Sequence, residues 1–227
     1  MKLTFFGHSC FLIEVSGKKL LFDPFITGNE LAKDINIDDI QADYILLSHG
    51  HMDHVLDAEA IAKKNDATIV SNFEIVSWFQ EKKGVEKGHP MNHGGSVKFD
   101  FGTVKYVNAV HSSVLPDGTY GGNPGGFVID TEEGKFYYAG DTALHMDMKL
   151  IGEYDQPDFS ILPIGDNFTM GVKDAIIASD FVGTNRVVAM HFDTFPYIAT
   201  NTDEAKQLFK DAGNELIVLN IGESIEL

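Results

Sequence analysis

Short apolar runs separated by turn residues recur along the chain, and their spacing predicts many strands. The runs at residues 2–15 and 19–23 predict a first set of paired strands. Similar runs predict later strands at residues 67–71, 97–101, 104–110, 127–131, 135–139, 160–163, 187–190 and 215–220. Glycine-containing turns join four of these into two hairpins, 97–101 with 104–110 and 127–131 with 135–139.

Helical spacing appears between the strands. Apolar positions at residues 58–62 predict a short helix, and Ser71 followed three residues later by Glu74 is typical of a capping box that opens another. Small residues on one face of 171–182 and an amphipathic stripe at 202–212 predict two more helices. Both halves of the chain therefore start with hairpin-like strands and then alternate strand and helix. This order predicts an α/β fold with helices outside two packed sheets.

Composition narrows the class of protein. The chain has 227 residues, of which 44% are hydrophobic and 22% charged, and we expect one globular domain spanning residues 1–227. No apolar run approaches the roughly 18 residues of a membrane span, and the first residues are typical of a strand rather than a signal peptide. The single cysteine, Cys10, fits a buried position in a strand. Together these features predict a cytoplasmic protein.

The charge of the chain bears on its partners. It carries 34 acidic and 17 basic side chains, a formal net charge of −17 at pH 7. Such a surface repels phosphate backbones at distances near the Debye length, about 8 Å in physiological salt. The charge therefore disfavours nucleic acid as a partner, and we expect a small-molecule substrate. We expect no membrane partner, and a homo-oligomer remains possible.

The most informative motif is the segment His49-Gly50-His51-Met52-Asp53-His54, which directly follows the apolar run at residues 44–47. A strand that leads straight into such a turn holds its side chains rigidly. Histidines two residues apart can converge on one metal ion, while Asp53 and His54 can serve a second ion. Four metal-competent side chains within six residues therefore predict a metal site.

Three other runs end in metal-competent side chains. His111 follows the run at 104–110, Asp141 follows 136–139, and His191 follows 186–190. Residues at strand ends are fixed by the sheet and still reach the loops where ligands bind. We expect these residues to complete the site.

These residues in this order resemble the five motifs of the metallo-β-lactamase superfamily, over nearly the whole chain. The first motif is matched by Asp23 in Leu21-Phe22-Asp23-Pro24, and the others by the histidine-rich segment, His111, Asp141 and His191. The resemblance implies a four-layer αββα sandwich and two divalent metal ions. The ligands that it implies are His49, His51 and His111 for one ion, Asp53, His54 and His191 for the other, and Asp141 as a bridge. Asp23 is implied to orient the ligand loop by accepting hydrogen bonds.

Three segments suggest a branch of this family. The opening Gly7-His8-Ser9-Cys10-Phe11 and the segments at residues 23–29 and 162–171 resemble small bacterial and archaeal metal-dependent hydrolases, which are similar to the ascorbate-phosphate lactonase branch. This resemblance implies the fold and leaves the substrate open.

The function that follows is hydrolysis by a metal-bridging hydroxide, with a small ester, lactone or phosphodiester as substrate. Asp53 can accept the proton of the nucleophile as well as bind metal. Zinc suits the imidazole-rich ligands, with manganese, iron or nickel as alternatives. The competing functions are an RNA-processing nuclease, which the acidity disfavours, an iron-dependent dioxygenase, and a metal-binding protein without catalysis.

Several other residues have alternative interpretations. We expect His8 in or beside the site, as a substrate donor, as a partner of a ligand, or as a structural histidine. His89 and His93 are predicted in a surface loop, His145 in a solvated position, and Asp57 as a charge on a helix surface. The loop at residues 112–126 is long enough for a rim or a lid. The aromatic segments at 168–170 and 192–197 are predicted either to line a pocket or to pack in the core.

Overall fold

Two seven-stranded mixed sheets pack face to face in the computed structural model, which describes residues 1–227. In the first sheet the strand order is β14-β1-β2-β3-β4-β5-β6. The strands are β1 (Lys2–Gly7), β2 (Cys10–Val15), β3 (Lys18–Phe22), β4 (Tyr44–Leu46), β5 (Thr68–Asn72), β6 (Gly88–Met91) and β14 (Ser224–Glu226). The helices between them are α1 (Met52–Val55), α2 (Ala58–Asn65) and α3 (Phe73–Lys83). Strands β1 to β3 are antiparallel, and β3 to β6 run parallel.

The second sheet has the order β13-β12-β11-β10-β9-β8-β7. Its strands are β7 (Ser96–Phe99), β8 (Gly102–Asn108), β9 (Gly125–Thr131), β10 (Gly134–Tyr138), β11 (Phe159–Pro163), β12 (Arg186–Met190) and β13 (Glu215–Ile217). Its helices are α4 (Met148–Leu150), which continues into a π-helical turn at Ile151–Asp155, α5 (Val172–Val182) and α6 (Thr202–Asp211). Strands β7 to β10 are antiparallel and β10 to β13 are parallel, so β8, β10 and β12 all run in one direction.

The core between the sheets is aromatic. Phe22 from the first sheet lies with its ring centroid 6.0 Å from that of Phe136 and 4.7 Å from that of Tyr138 in the second. Alternate residues of the same strands point outward, because side chains of a strand alternate between its two faces. Thus Leu21 and Ile45 pack under the outer helices in a separate cluster. The αββα arrangement predicted from the sequence is confirmed.

The capping box predicted at Ser71 and Glu74 is wrong by one residue. Asn72 caps α3, and its side chain accepts a hydrogen bond from the Ile75 amide at 2.9 Å. Ser71 stays in β5, where its hydroxyl donates to the Leu47 carbonyl at 2.6 Å. The serine oxygen is therefore committed to the sheet, and the asparagine takes the capping role, for which it is equally suited.

Two edge strands were not predicted. The segment of His89 forms β6 beside β5 instead of a loop, and Pro90 is tolerated there because β6 is at the edge of its sheet. The last strand predicted at 215–220 ends at Ile217 as β13, and the chain then crosses to the other sheet, where β14 pairs with β1. Both strands are short, β6 contains a proline, and the partner of β14 lies at the other end of the chain, so local patterning did not indicate them.

Asp57 is not a surface charge. It is buried, and its carboxylate accepts hydrogen bonds from the Ile26 amide at 2.6 Å and from the Thr27 amide at 2.9 Å and hydroxyl at 2.5 Å. It therefore fixes the loop that follows Asp23. Cys10 is buried, as predicted. None of the helices has the length and apolar character that crossing a bilayer requires.

Candidate metal centre

Seven predicted ligands, carried by the ends of strands in both sheets, come together in one cluster. The loop after β4 and the start of α1 provide four of them, and the segments after β8, β10 and β12 provide one each. Potential ligand atoms lie within 4.8 Å of one another in three groups, one of which is Asp23, His49 and His54. The other two are the first group, His49, His51 and His111, and the second group, His8, Asp53, His54 and His191. The division between the groups is the one that the sequence resemblance implied, except that His8 joins the second.

Asp141 lies between the two groups. Its Oδ2 is 3.0 Å from His191 Nε2 and 3.3 Å from His54 Nε2 on one side. On the other side the same oxygen is 3.6 Å from His111 Nε2 and 3.9 Å from His49 Nε2. One carboxylate thus faces four imidazoles, the position that a bridging ligand would occupy.

The first group favours neutral imidazoles. His49 Nε2 lies 3.0 Å from His51 Nδ1, and the ring centroid of His111 is 5.1 Å from both of theirs. Burial lowers the pKa of His49 well below its usual value, and burial likewise lowers the pKa values of His51 and His111. Neutral imidazole is the form that binds a metal ion.

In the second group, carboxylates surround a histidine. Burial alone would lower the pKa of His54, but Asp141, Asp53 and Asp23 raise it well above the usual value. Burial would raise the pKa of Asp53, but His54 and His8 hold it well below its usual range. The carboxylates around His54 therefore favour positive charge in this group.

His8 is the partner of Asp53. It is 1% exposed, and its Nε2 lies 3.1 Å from Asp53 Oδ2. Its Nδ1 lies 3.0 Å from the Thr194 hydroxyl, and burial lowers its pKa to about 4. The neutral ring thus donates from Nε2 to Asp53 and accepts from Thr194. Of the alternatives for His8, this geometry fits the partner of a ligand, since His8 does not line the cavity described below.

Asp23 supports the ligand loop from behind. Its Oδ1 accepts from the Ser48 amide at 2.7 Å, and its Oδ2 accepts from the Ser48 hydroxyl at 2.5 Å. The same Oδ2 lies 2.8 Å from both His54 Nδ1 and the Tyr138 hydroxyl. The Ser48 hydroxyl is also 2.9 Å from His49 Nδ1. A single buried carboxylate therefore orients ligands of both groups, as the resemblance implied for Asp23.

Several residues at the site have backbone φ angles in the left-handed region. Gly140, directly before Asp141, has φ +63°, and a Cβ there would lie 2.7 Å from Ser48 Cβ and 2.8 Å from the Gly125 carbonyl oxygen. His8 and His191 both have φ +55°, which side-chain-bearing residues adopt rarely. The His191 amide donates to the His8 carbonyl at 2.8 Å, so the two left-handed residues hold each other in place.

The donor set fits divalent cations. Asp141 Oδ1 and His54 Nε2 are buried and make no hydrogen bond, although an unsatisfied buried polar atom costs about 1–3 kcal/mol. Both atoms belong to the cluster, and carboxylate oxygens with imidazole nitrogens are the ligands of zinc and similar ions. The cluster can therefore bind metal ions, and cations would satisfy these atoms.

A cavity of about 700 Å³ opens above the cluster. His51, Asp53, His111, Asp141 and His191 form its floor. Its walls come from residues of several loops, namely Phe25, Met52, Ser112, Phe168, Phe195, Pro196 and Tyr197. The two aromatic segments predicted near the site thus contribute to the wall, whereas Met170 and Phe192 pack in the core.

The loop at residues 112–126 forms part of the rim of this cavity. Ser112 lines the cavity, and the Ser113 hydroxyl accepts from the Gly50 amide at 3.0 Å. Farther along, Asp117 accepts from Trp78 Nε1 at 2.8 Å, and the Gly121 carbonyl accepts from Asn72 at 2.8 Å. These anchors tie the loop to α3 and the ligand loop, so the structure favours the rim over the lid.

The remaining histidines lie outside the cluster. His89 is half-buried in β6, and His93 is half-buried, with Nε2 2.9 Å from the Pro124 carbonyl and its ring stacked on Tyr106. His145 is also half-buried, and both of its ring nitrogens are without hydrogen-bond partners, so its predicted solvated position is wrong.

Sequence reasoning did not identify Phe25 and Met52 as cavity residues. Their neighbours carried a signal, since Phe25 follows Asp23 by two residues and Met52 lies inside the histidine-rich segment.

The chain resembles known proteins along its whole length. The beta-lactamase superfamily domain matches residues 2–191. Relatives in Flavobacterium johnsoniae and Christiangramia forsetii, both called metal-dependent hydrolases, are 61% identical over 227 residues and 58% identical over 228. Each of these alignments covers 100% of both chains.

Solved structures agree with this similarity. A metallo hydrolase of the hyperthermophilic archaeon Ignicoccus hospitalis is 34% identical, with a TM-score of 0.88 over 100% of this chain and 98% of its own. An isothiocyanate hydrolase from Delia radicum gut bacteria has a TM-score of 0.81 at 20% identity, over 100% of this chain and 99% of its own. The second similarity concerns the fold alone.

Proposed function

This chain belongs to the beta-lactamase superfamily and is a metal-dependent hydrolase, and from that premise we propose that it uses two divalent cations to hydrolyse a small ester, lactone or phosphodiester. The observation that carries the proposal is the position of Asp141. Its Oδ2 lies within 3.9 Å of imidazole nitrogens from both groups. One shared carboxylate between two sets of ligands is the arrangement of a two-metal site.

We propose that His49, His51 and His111 bind one cation, that Asp53, His54 and His191 bind the other, and that Asp141 binds both. Divalent cations at such a site supply Lewis-acid polarisation of the substrate and lower the pKa of bound water towards neutrality. Zinc is the metal that the five imidazoles favour.

The roles of the chain's own residues follow from their hydrogen bonds. Asp53 lines the floor of the cavity, where its carboxylate can accept the proton that the attacking water loses. His8 is the positioning residue for Asp53, because its Nε2–H is donated to that carboxylate from behind. Asp23 holds His54 by accepting from Nδ1, which leaves the lone pair of Nε2 facing the centre.

A small molecule is the substrate that the charge supports. The chain carries a formal charge of −17, so a long polyanion meets repulsion before it reaches the cavity. A nuclease would need a basic surface for the phosphate backbone. We therefore propose small-molecule hydrolysis in the cytoplasm without a nucleic-acid partner.

The experiment that tests the two-cation centre is elemental analysis of reconstituted protein. We expect two ions per chain in the wild type and one in His51→Ala and in His191→Ala, because each variant loses a ligand of one group only. His89→Ala is the matched control and should retain two ions, since His89 lies outside the cluster. Saturation at a single ion in the wild type would refute the two-metal mechanism.

A further inference from the structure

The cavity above the cluster has two chemically different parts. Its floor consists of the carboxylates and imidazoles of the candidate metal centre. Its wall is mainly aromatic and apolar, and no lysine or arginine lines it. Outside the cluster, the polar side-chain groups of the lining are the hydroxyls of Ser112 and Tyr197. A substrate therefore meets charged groups at its reacting end and apolar surface elsewhere.

Two aromatic side chains of the cavity wall are exposed to solvent. Phe168 is 50% exposed and Tyr197 is 75% exposed, and their ring centroids are 6.2 Å apart at an interplanar angle of 74°. An edge-to-face aromatic pair of this kind leaves room for a third ring or an aliphatic group to pack against it. Exposed aromatic surface beside a cavity is typical of ligand-binding sites.

The loops that carry these two residues are fixed. An isolated bridge between Gly165 and Gly171 closes the loop of Phe168, and the Met170 amide donates to the Thr142 carbonyl at 3.0 Å. The loop of Tyr197 is closed where the Asp193 amide donates to the Ile198 carbonyl at 2.9 Å. The backbone that carries the exposed pair is therefore positioned before any ligand binds, which reduces the entropy lost on binding.

We propose that the substrate is a neutral ester or lactone whose non-reacting part is an aromatic or branched apolar group, and that Phe168 and Tyr197 bind that group. This inference rests on the proposed hydrolysis at the cluster. In the reaction, the oxygen of water bonds to the carbonyl carbon and the carbon–oxygen bond of the ester breaks. The proton that water loses passes by way of Asp53 to the leaving oxygen, so an ester gives a carboxylic acid and an alcohol, and a lactone gives a single hydroxy acid.

A charged non-reacting end is disfavoured by the same lining. A phosphate or carboxylate placed against the wall would find no basic side chain there. Moving an anion out of water without a partner is costly. A phosphorylated lactone, the substrate for which the ascorbate-phosphate lactonase branch is named, is therefore a poorer match to this cavity than a neutral one.

The occupant of the wall is a substrate rather than a second copy of the chain. The aromatic pair shares one continuous cavity with His111, Asp141 and His191. A protein segment seated on the pair would cover the floor on which the reaction takes place. A small molecule uses both parts at once.

The test compares three methyl esters on metal-loaded protein, followed by acid release at constant pH. Methyl phenylacetate presents a ring, methyl acetate lacks it, and monomethyl succinate presents a carboxylate. We expect kcat/KM for methyl phenylacetate to exceed that for methyl acetate by at least about 10-fold, because burying a ring is strongly favourable. Monomethyl succinate should be the slowest of the three.

Substitutions in the cavity wall test whether the preference for an aromatic ester arises there. Phe168→Ala and Tyr197→Ala should each raise KM for methyl phenylacetate by about 2- to 12-fold, the range for losing one aromatic contact, with metal content unchanged. Phe73→Ala and Tyr154→Ala are matched controls, since Phe73 is 60% and Tyr154 71% exposed and neither lines the cavity. Both controls should keep the wild-type KM. Phe168→Arg should reduce the difference in kcat/KM between monomethyl succinate and methyl phenylacetate.

A measurement without turnover separates this inference from the proposed function. Phenylacetone resembles methyl phenylacetate and lacks the ester bond, so its binding can be followed by calorimetry whether or not the protein hydrolyses esters. Weaker binding of phenylacetone in Phe168→Ala and Tyr197→Ala would support binding of the apolar group by the wall, even if no ester were cleaved. Equal activity on the three esters together with wild-type phenylacetone binding in both variants would overturn it. A dimer that dissociates in both variants while KM stays unchanged would overturn it as well.

Discussion

Replacing Asp23 by asparagine should weaken metal binding although Asp23 faces away from the cavity. Asp23 Oδ1 accepts from the Ser48 amide, and Oδ2 accepts from the Ser48 hydroxyl and from His54 Nδ1. Asparagine keeps one acceptor oxygen, which can stay with the Ser48 amide. Its amide nitrogen then faces His54 Nδ1, and two donors cannot share that contact.

The conflict at His54 is resolved by moving the proton within the ring. With Nδ1 unprotonated, the neutral imidazole carries its proton on Nε2, the atom that lies 3.3 Å from Asp141 Oδ2. A protonated Nε2 cannot bind a metal ion, so each ion that binds must first reverse the tautomer. Changes to such supporting residues typically cost 10- to 100-fold in metal affinity, which corresponds to about 1.4–2.7 kcal/mol. We expect Asp23→Asn to fall in that range.

The assay is competition for zinc between the protein and a chromophoric chelator at a fixed pH near 7. The loss should be largest for the ion bound by the group of His54, with a smaller effect on His49 through the Ser48 hydroxyl. Asp57→Asn is the control, because Asp57 is an equally buried carboxylate that accepts only from residues 26 and 27. It should lower the urea midpoint of unfolding and leave zinc affinity unchanged. The reasoning is refuted if Asp23→Asn binds zinc within about threefold of the wild type.

Three further predictions concern the cluster and the net charge of the chain. Asp141→Ala should weaken the affinity for both ions by at least about 10-fold, since the Asp141 carboxylate faces both groups. Loss of only one ion in elemental analysis would contradict the bridging role of Asp141. The metal-free protein should be less stable to urea at pH 5 than at pH 7. Burial lowers the folded-state pKa of His8 to about 4 and holds that of His49 well below its usual value, so below about pH 6.5 the unfolded chain binds more protons than the folded one and stability falls as the pH is lowered. An unchanged urea midpoint would argue against the burial of these two histidines. Any cleavage of RNA should be slow and should rise with added salt, because salt screens the repulsion from the charge of −17; efficient cleavage that fades with salt would favour the nuclease.

The residues of the candidate site were predictable because each lies close behind an apolar run of strand character. His49, His51 and His54 lie within six residues after one such run, and His111 and His191 directly follow two others. The sheet then brings these strand ends together, so a fold prediction is sufficient to place the side chains. The hairpins of the second sheet were predictable for the same reason, since each depends on a short turn.

Residues whose roles depend on distant partners were not predictable. His8 contacts Asp53, 45 residues away, and Thr194, 186 residues away. Asp57 has the spacing of a helix-surface residue and is buried only because the loop after Asp23 folds over it. Their neighbours in sequence carry no sign of these contacts, and the packing of the two halves determines them.

The cluster also joins the two halves of the fold. His8, Asp53 and His54 belong to the half of the first sheet, whereas Asp141 and His191 follow strands of the second. The side chains that meet between them include the carboxylates of Asp53 and Asp141 and several imidazoles, of which burial lowers the pKa values of His8 and His49. A cation that binds only the folded state stabilises it in proportion to the logarithm of its concentration above the dissociation constant. A cation bound at this cluster would therefore stabilise the junction of the two sheets through the same residues that we propose for the reaction.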